Sequence, residues 1–456
     1  MKHSQTLETN SHNVNGLLNN GLFSNKCFET HLAHYQHLPW LQNLKRDAWD
    51  QFNKIQMPKR TDEAWRFADL KNFSLEGYQF PHAKIGYERV DIERLSSIVT
   101  DFGGRMIFED NHILCHDYVD TELSEKGVIW EPLSDAFENH PELVQEYFLK
   151  QKTHLGSQKF YHLSIAYAHA GAFLYIPENV IIQKPLIVYH WAQDSNASLF
   201  PQTITIAEAN SCLTLVDVYV SHTKHNPALA IAVGSTFVGK GAQVSRKTIQ
   251  NWNEKTLSFQ LDSTIVEEDA KAKTVAINLG AKAARFENQV SLNGPTADAN
   301  LYSLSIADKT QEFDQRTFQE HKASHSTSDL LYKNVLMDES KTIFSGMIKV
   351  LPSADKTDAY QTNRNLLLSE DAVANSLPGL EIEANDVKCS HGATSGKLDE
   401  KELFYMLSRG ISKKQAQELL VFGFLDEILV KIENPTLMDG LRKIIEAKLS
   451  KGLKTE

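Results

Sequence analysis

The chain has 456 residues, more than the roughly 250–300 residues that one hydrophobic core usually serves, so we expect two or three structural units. Its 41% apolar and 23% charged residues are typical of a folded protein and not of a disordered or fibrous one. The net charge of −11, without a cluster of basic and aromatic residues, argues against nucleic acid as a partner. No secretory leader or long apolar run is present, which predicts a cytoplasmic protein without a membrane partner.

The first part of the chain, residues 1–170, is predicted to be a mixed and mostly helical domain. Its first 26 or so residues are polar and expected to be mobile. Helical periodicity then predicts helices over 28–56, 135–150 and 159–169, interrupted by strand-like runs such as 105–108.

The pattern changes near residue 171 to short β-type runs, and polar turn points recur near Gly241, Lys255, Asp269 and Ala283. Asn293-Gly294 is almost the only hairpin signal in this region, which disfavours a sandwich or barrel. In a parallel β-helix, each strand pairs with the equivalent strand one coil away and no tight hairpin is needed. We therefore predict a mainly β fold, with a right-handed parallel β-helix over 171–396 as its core.

Residues 397–456 return to a helical pattern and form the third predicted domain. Asp399 with Glu402, and Ser412 with Gln415, have the spacing of capping boxes at the starts of two helices. A third helix is predicted over 437–449. The apolar face of the second helix is predicted to consist of Ala416, Leu419, Leu420, Phe424 and Ile428.

The segment Gly392–Leu398 superficially suggests a phosphate-binding loop. It has only three residues between its glycines and a leucine after Lys397, so it lacks the amide ring and the Mg²⁺-binding hydroxyl of such loops. Nucleotide hydrolysis, if it is involved, is therefore assigned to a partner.

The four cysteines Cys27, Cys115, Cys212 and Cys389 lie far apart, which argues against a disulfide framework or a local zinc site. Cys389 and His391 are two residues apart, so in a strand their side chains would share one face at about 7 Å along the chain. Such a pair could hold a metal or a persulfide. The alternative is a small buried cysteine beside a hydrogen-bonded histidine.

Two further polar clusters have both a chemical and a structural interpretation. His321 and His325, near Ser328 and Lys333, offer only two local metal ligands, so a polar ladder inside a coil is favoured. The charged groups Asp314, Arg316, Lys356 and Asp358 resemble the acid and base residues of β-helical carbohydrate enzymes. Solvated coil edges are the favoured interpretation of these charges.

Several motifs together resemble the SufB/SufD family of iron–sulfur cluster assembly proteins. Near the C-terminus these are His391-Gly392-Ala393-Thr394, Glu402-Leu403-Phe404-Tyr405, Ser408-Arg409-Gly410-Ile411 and Phe422-Gly423-Phe424, and upstream they are Leu163-Ser164-Ile165-Ala166 and Glu63-Ala64-Trp65-Arg66-Phe67. The resemblance is to the SufD branch, because Cys389-Ser390-His391-Gly392 and the series through His321, His325 and Ser328 are similar to SufD. No cysteine lies between Cys212 and Cys389, where SufB chains carry one. Ser164 departs from the asparagine usual in the family.

The resemblance implies a non-catalytic scaffold of the SUF system that pairs with a SufB-type subunit and binds a SufC-type ABC ATPase. It implies that Cys389 and His391 lie at the SufB interface and share a metal or nascent cluster with the partner. No cofactor is expected to stay on the isolated chain, and the sequence leaves open whether that chain forms homodimers. Docking on the ATPase is assigned to the helices that carry Leu403, Phe404, Leu419 and Phe424. A carbohydrate-active enzyme and a purely self-associating structural protein remain the alternatives.

Overall fold

The computed structural model describes residues 23–80, 89–148, 150 and 154–452. The N-terminal segment that is expected to be mobile lies outside these residues up to residue 22. Helices of the first part are α1 Asn25–Leu32, α2 Pro39–Lys54, α3 Arg89–Leu95, α4 Thr121–Glu125, α5 Leu133–Asn139, α6 Pro141–Tyr147 and α7 Gln158–Ala166, with 3-10 turns at Ala33–Tyr35, Glu63–Trp65 and Leu70–Phe73.

Strands dominate the rest of the chain up to residue 396. They are β1 Gly104–Glu109, β2 His112–Asp117, β3 Ile129–Pro132, β4 Gly171–Ile176, β5 Leu186–Ala192, β6 Ala197–Leu199, β7 Gln202–Ala207, β8 Cys212–Ser221, β9 Ala228–Val238, β10 Gln243–Asn251, β11 Leu257–Val266, β12 Lys271–Asn278, β13 Ala283–Leu292, β14 Asp298–Ala307, β15 Glu312–His321, β16 Thr327–Leu336, β17 Lys341–Val350, β18 Asp358–Leu367, β19 Val373–Ile382 and β20 Lys388–Gly396.

These strands form a parallel β-helix, which confirms the predicted fold. One sheet has the order β2-β1-β5-β8-β10-β12-β14-β16-β18-β20, and the other β19-β17-β15-β13-β11-β9-β7-β4-β3, with β6 beside β9. From β4 onward each strand pairs in parallel with its equivalent one coil away, as Leu257 does with Ala283. Antiparallel pairing occurs where β1 meets β2 and β3 meets β4, at the N-terminal end.

The predicted turn points fall at the corners between strands, and one corner repeats through the whole β-helix. At this corner a residue with positive φ donates its backbone N–H to a carbonyl of the next coil, for example His325 to Asp355 at 2.9 Å. The ladder satisfies backbone groups that a turn would otherwise leave unpaired. Its members are Asn179, Asn210, Gly241, Asp269, Thr296, His325 and Lys356.

A polar ladder also runs through the inside of the later coils towards β20. Amide and hydroxyl side chains hydrogen-bond from coil to coil, as from Asn334 to Asn365 at 2.8 Å and from Asn365 to Ser395 at 3.2 Å. Because buried polar groups cost free energy unless they are paired, this ladder fixes the register of the coils. Earlier members are Asn278, Ser303, Ser305 and Gln315.

Helices of the first part pack on the outer face of the sheet that contains β9 and β11. The predicted helix over 28–56 is wrong as one element, since α2 restarts at Pro39, and the one over 135–150 divides at Pro141. Proline fits the first turn of a helix but disfavours helical backbone in the residue before it. Each proline therefore starts a new helix.

Two buried lysines join α2 and α7 reciprocally. Lys45 on α2 donates to the carbonyls of Ala166 and Ala168 at the end of α7. Lys159 on α7 donates to Phe52 and Ile55 at the end of α2, at 2.5 and 2.8 Å. Each ammonium therefore satisfies carbonyls that a helix end leaves free. Burial lowers the pKa of Lys159 to about 8.

Three helices, α8 Glu400–Ser408, α9 Lys413–Leu429 and α10 Pro435–Gly452, complete the described chain after β20. The predicted caps are confirmed, since Asp399 accepts from the N–H groups of Lys401 and Glu402, and Ser412 from that of Gln415. The helices α9 and α10 pack on the outer face of the sheet that contains β12, β14 and β16. Within the described residues, no helix is both long and apolar enough to cross a membrane.

The predicted apolar face of α9 is wrong in part. Leu419 is 54% exposed, whereas the buried positions are Ala416, Val421, Leu425, Ile428 and Leu429. The helix turns Val421 and Leu425 to the sheet and leaves Leu419 in solvent.

Candidate functional site

Cys389 and His391 lie on β20, the last strand of its sheet. In the register with β18, Cys389 is opposite Ala359 and His391 opposite Gln361. Because side chains alternate along a strand, both project on the same face. The structure therefore places the two residues side by side at the C-terminal end of the β-helix, where the next coil would begin.

The Cys389 thiol is half-buried. It packs against a small apolar cluster that includes Ile348, Val350 and Ala359. Burial, aided by the negative charge of Asp358, raises the pKa of this thiol, although a hydrogen bond from the backbone of Ala359 acts in the opposite direction. The free thiol is accordingly protonated at neutral pH and is a weak nucleophile and metal ligand in this state.

His391 is exposed at the open end of the β-helix. Among the described residues no hydrogen-bond partner holds its ring. An exposed imidazole without a fixed partner can bind a metal ion or accept a hydrogen bond from another molecule. The pair therefore combines one accessible imidazole with one partly shielded thiol.

Two buried polar groups behind His391 are not recognisable from the sequence. The Oε1 atom of Gln361 and the Oγ1 atom of Thr317 have no hydrogen-bond partner among the described residues. Both approach Gly346, where an added β-carbon would lie 2.2 Å from the first atom and 2.7 Å from the second. The missing side chain at Gly346 thus leaves room for an unpaired amide oxygen and an unpaired hydroxyl in the coils that precede β20.

Few metal-ligating side chains come together in the described residues. Across the described ranges, no group of three or more His, Cys, Asp or Glu side chains is placed to hold a metal ion. Cys389 and His391 supply two side chains, whereas zinc sites take three or four from the protein.

The structure separates His321 from His325. His321 is buried, and its ring nitrogens lie 2.8 Å from the hydroxyls of Ser326 and Ser328. Burial lowers its pKa to about 4, so the ring is neutral at cellular pH. His325 lies in the corner ladder instead. The polar-ladder interpretation is therefore confirmed for His321, and the two rings do not form a metal pair.

The interpretation of Asp314 and Arg316 as solvated charges is wrong. Asp314 is fully buried and binds Arg285 and Arg316, and the Nη2 atom of Arg316 donates to the carbonyl of Arg66 at 2.9 Å. Arg285 also stacks on the ring of Trp65 at 3.9 Å. These charges attach the N-terminal Trp-Arg motif to the β-helix and do not line an open groove. Lys356, by contrast, is exposed and pairs with Asp386 at the coil edge, as expected.

The four predicted docking residues fall into two groups. Phe404 and Leu419 are 71% and 54% exposed, and Tyr405 and Leu407 beside them are also exposed. Leu403 and Phe424 are partly buried. Phe424 contacts Lys333, whose ammonium lies 4.6 Å from the ring and donates to the Phe424 carbonyl at 2.8 Å. The exposed apolar residues of these helices, Phe404, Tyr405 and Leu407 on α8 and Leu419 on α9, are together called the α8–α9 surface.

Comparison with known families identifies the family to which the chain belongs. A family model described as "SUF system FeS cluster assembly, SufBD core domain" matches residues 190–424, and one described as "SufBD protein N-terminal region" matches residues 25–188. The chain belongs to the SufB/SufD family. Its role is therefore in iron–sulfur cluster assembly, and the predicted family is confirmed.

Similar proteins include members named SufD. The chain is 26% identical to the iron–sulfur cluster assembly protein SufD of Bacillus subtilis over 91% of its own length and 95% of the relative's. It is also 26% identical to SufD of Escherichia coli, over 92% and 96% of the two chains. A SufBD family protein of Synechocystis is 27% identical over 90% and 91%. This similarity covers both the β-helix and the flanking helices.

Proposed function

We propose that this chain is a non-catalytic, SufD-type scaffold that pairs with a SufB-type subunit through the C-terminal end of its β-helix and binds a SufC-type ATPase through the α8–α9 surface. The observation that carries this proposal is the end of the β-helix itself. There β19 and β20 are the last strands of the two sheets, and β20 carries Cys389 and His391.

The end strands support pairing because each has hydrogen-bonding partners on one side only. A long unpaired strand is a template for another chain, and monomeric proteins normally protect such edges. Side chains of β19 are mostly half-buried or exposed, and Val373 and Ile382 are 46% and 42% exposed. A second β-helix added in register would bury these residues. In the isolated chain, the same edges favour a homodimer.

The α8–α9 surface supports ATPase docking because its aromatic and aliphatic groups have little packing of their own. Phe404, Tyr405, Leu407 and Leu419 expose apolar area on helices whose other residues attach α9 to the β-helix. Exposed apolar patches of this kind mark interaction sites. Movement of a bound ATPase would reach the β-helix through α9 and Lys333.

Iron and sulfur are the cargo in this proposal and not resident cofactors. His391 offers an accessible nitrogen ligand, and Cys389 offers sulfur once its proton is lost. Coordination to iron deprotonates a thiol, so arrival of the metal at the paired interface would activate Cys389. The SufB-type partner would complete the ligand set, and no cluster is expected to stay on the isolated chain.

The decisive experiment is co-expression of this chain with its SufB-type and SufC-type partners, followed by measurement of mass, stoichiometry and ATPase rate. We expect one stable assembly and a higher ATPase rate with the chain than without it. His391→Ala should leave assembly intact and reduce cluster formation. No association with either partner would contradict the proposal, and an unchanged cluster yield would remove His391 from the mechanism.

A further inference from the structure

A cleft of about 530 Å³ lies far in sequence from Cys389 and His391, between the segment 71–78 and three successive corners of the β-helix. Its volume is within the range of small-molecule sites in proteins. The corners contribute residues 254–257, 282–283 and 310. The cleft therefore forms only when the N-terminal part of the chain is docked on the coils.

Three lysines line this cleft: Lys71, Lys255 and Lys282. Among the described residues, none of their ammonium groups has a hydrogen-bond or ion-pair partner. The acidic residues there do not cancel them. Glu254 is already bound by Lys309, whose Nζ atom lies 2.5 Å from both carboxylate oxygens, which leaves only Glu76. The cleft is thus locally positive on a chain of net charge −11.

Neutral hydrogen-bonding groups complete the lining. Tyr78 is partly buried, and burial raises the pKa of its phenol, so the hydroxyl keeps its proton. Asn72 and Ser74 add an amide and a hydroxyl. Like charges held together in a cleft, beside neutral donors, concentrate the field on one bound counter-ion.

From these contacts we propose that the cleft binds a small phosphate-bearing molecule with at least two negative charges. Among the described residues, its cationic lining consists of lysines, and three ammonium groups can each approach a different oxygen of one polyanion. Lysine ammonium groups act as point charges and suit phosphate oxygens. A bound phosphate compound would contact the N-terminal segment and the β-helix together and would stabilise their docking.

The test is calorimetric titration of the purified full-length chain with inorganic pyrophosphate at low ionic strength, where surface charges are least screened. We expect one site per chain and a higher thermal midpoint with ligand. The double variant Lys71→Gln/Lys282→Gln should bind pyrophosphate at least about tenfold more weakly than the original chain. The control Lys26→Gln/Lys224→Gln removes the same charge from other exposed positions and should bind like the original chain.

Each other outcome would overturn the proposal. Absence of binding by the original chain would show that the cleft holds no such ligand. Equal weakening in the two double variants would mean that only the net charge matters. Citrate binding as tightly as pyrophosphate would exclude selection for phosphate. Thermal unfolding of both variants without ligand establishes that they are folded, so a loss of affinity cannot reflect loss of structure.

Discussion

The reactivity of the Cys389 thiol measures how strongly burial shields this residue in the isolated chain. Because burial raises its pKa above the ordinary value of 9.0, the fraction of thiolate at pH 8 is smaller in the folded chain than in the unfolded chain. With the other three cysteines replaced by serine, we expect alkylation of Cys389 to be slower in the native protein than in urea and to accelerate as the pH rises past 9.0. Native alkylation as fast as in urea would contradict the shielding.

At Gln361, the effects of one substitution on stability and on cluster formation can be measured separately. Its Oε1 atom is buried without a partner among the described residues, and its Nε2 atom donates one long hydrogen bond, to the Gly346 carbonyl at 3.4 Å, so Gln361→Met replaces a largely unpaired amide by an apolar group of similar size. Such a change is near neutral or stabilising. We expect the thermal midpoint to stay or rise, while cluster formation in the reconstituted complex falls. Thr342→Val, also an inward-facing buried position, is the control and should leave cluster formation unchanged.

If Gln361→Met instead lowers the thermal midpoint and leaves cluster formation at its original level, the residue only packs the coil. Sequence could not reveal this pair of acceptors, because Thr317 and Gln361 meet only through the stacking of coils. Cys389 and His391 could be placed from sequence, since two residues on one strand always share a face.

At the scale of elements, the corner ladder explains the role of His325, which the sequence alone left open. His325 has a φ of 59°, a backbone conformation that costs a residue with a side chain about 1 kcal/mol or more and that glycine adopts freely. We expect His325→Gly to raise the free energy of unfolding by roughly 0.5–1 kcal/mol after the greater flexibility of the unfolded glycine is counted. Urea denaturation of both proteins measures the difference.

His321→Ala is the matched comparison for His325→Gly. It removes both hydrogen bonds to Ser326 and Ser328 and leaves a cavity in the coil, so it should destabilise the protein by about 2 kcal/mol or more. If His325→Gly lowers the free energy of unfolding, the histidine side chain stabilises the protein by more than its positive φ costs.

Strands and corners could be predicted because a β-helix repeats the same pattern of short strands and polar turns in every coil. The breaks at Pro39 and Pro141 could have been predicted too, since proline starts helices. The face of α9 could not. Apolar residues surround this helix on all sides in the run Glu418–Phe424, so periodicity offers no unique choice, and only contact with the sheet decides that Val421 is buried and Leu419 exposed.

At the scale of the whole molecule, the two proposed interfaces lie on different elements, so each can be removed alone. Val373→Lys/Ile382→Lys places charges on the exposed edge of β19, and lysine on an edge strand opposes pairing. We expect this variant to lose the SufB-type partner and to keep the ATPase. Phe404→Glu/Leu419→Glu should lose the ATPase and keep the SufB-type partner, because it alters only the α8–α9 surface.

Both variants should form no clusters in the reconstituted system, because the proposal requires the interface and the ATPase at once. Ile181→Lys is the control: Ile181 is 62% exposed on an early coil, away from either surface, and its replacement should leave both associations intact. Size-exclusion chromatography with light scattering reads each association separately. If either double variant loses both partners while remaining folded, the two interfaces are not independent, and α9 must couple them through its contact with Lys333.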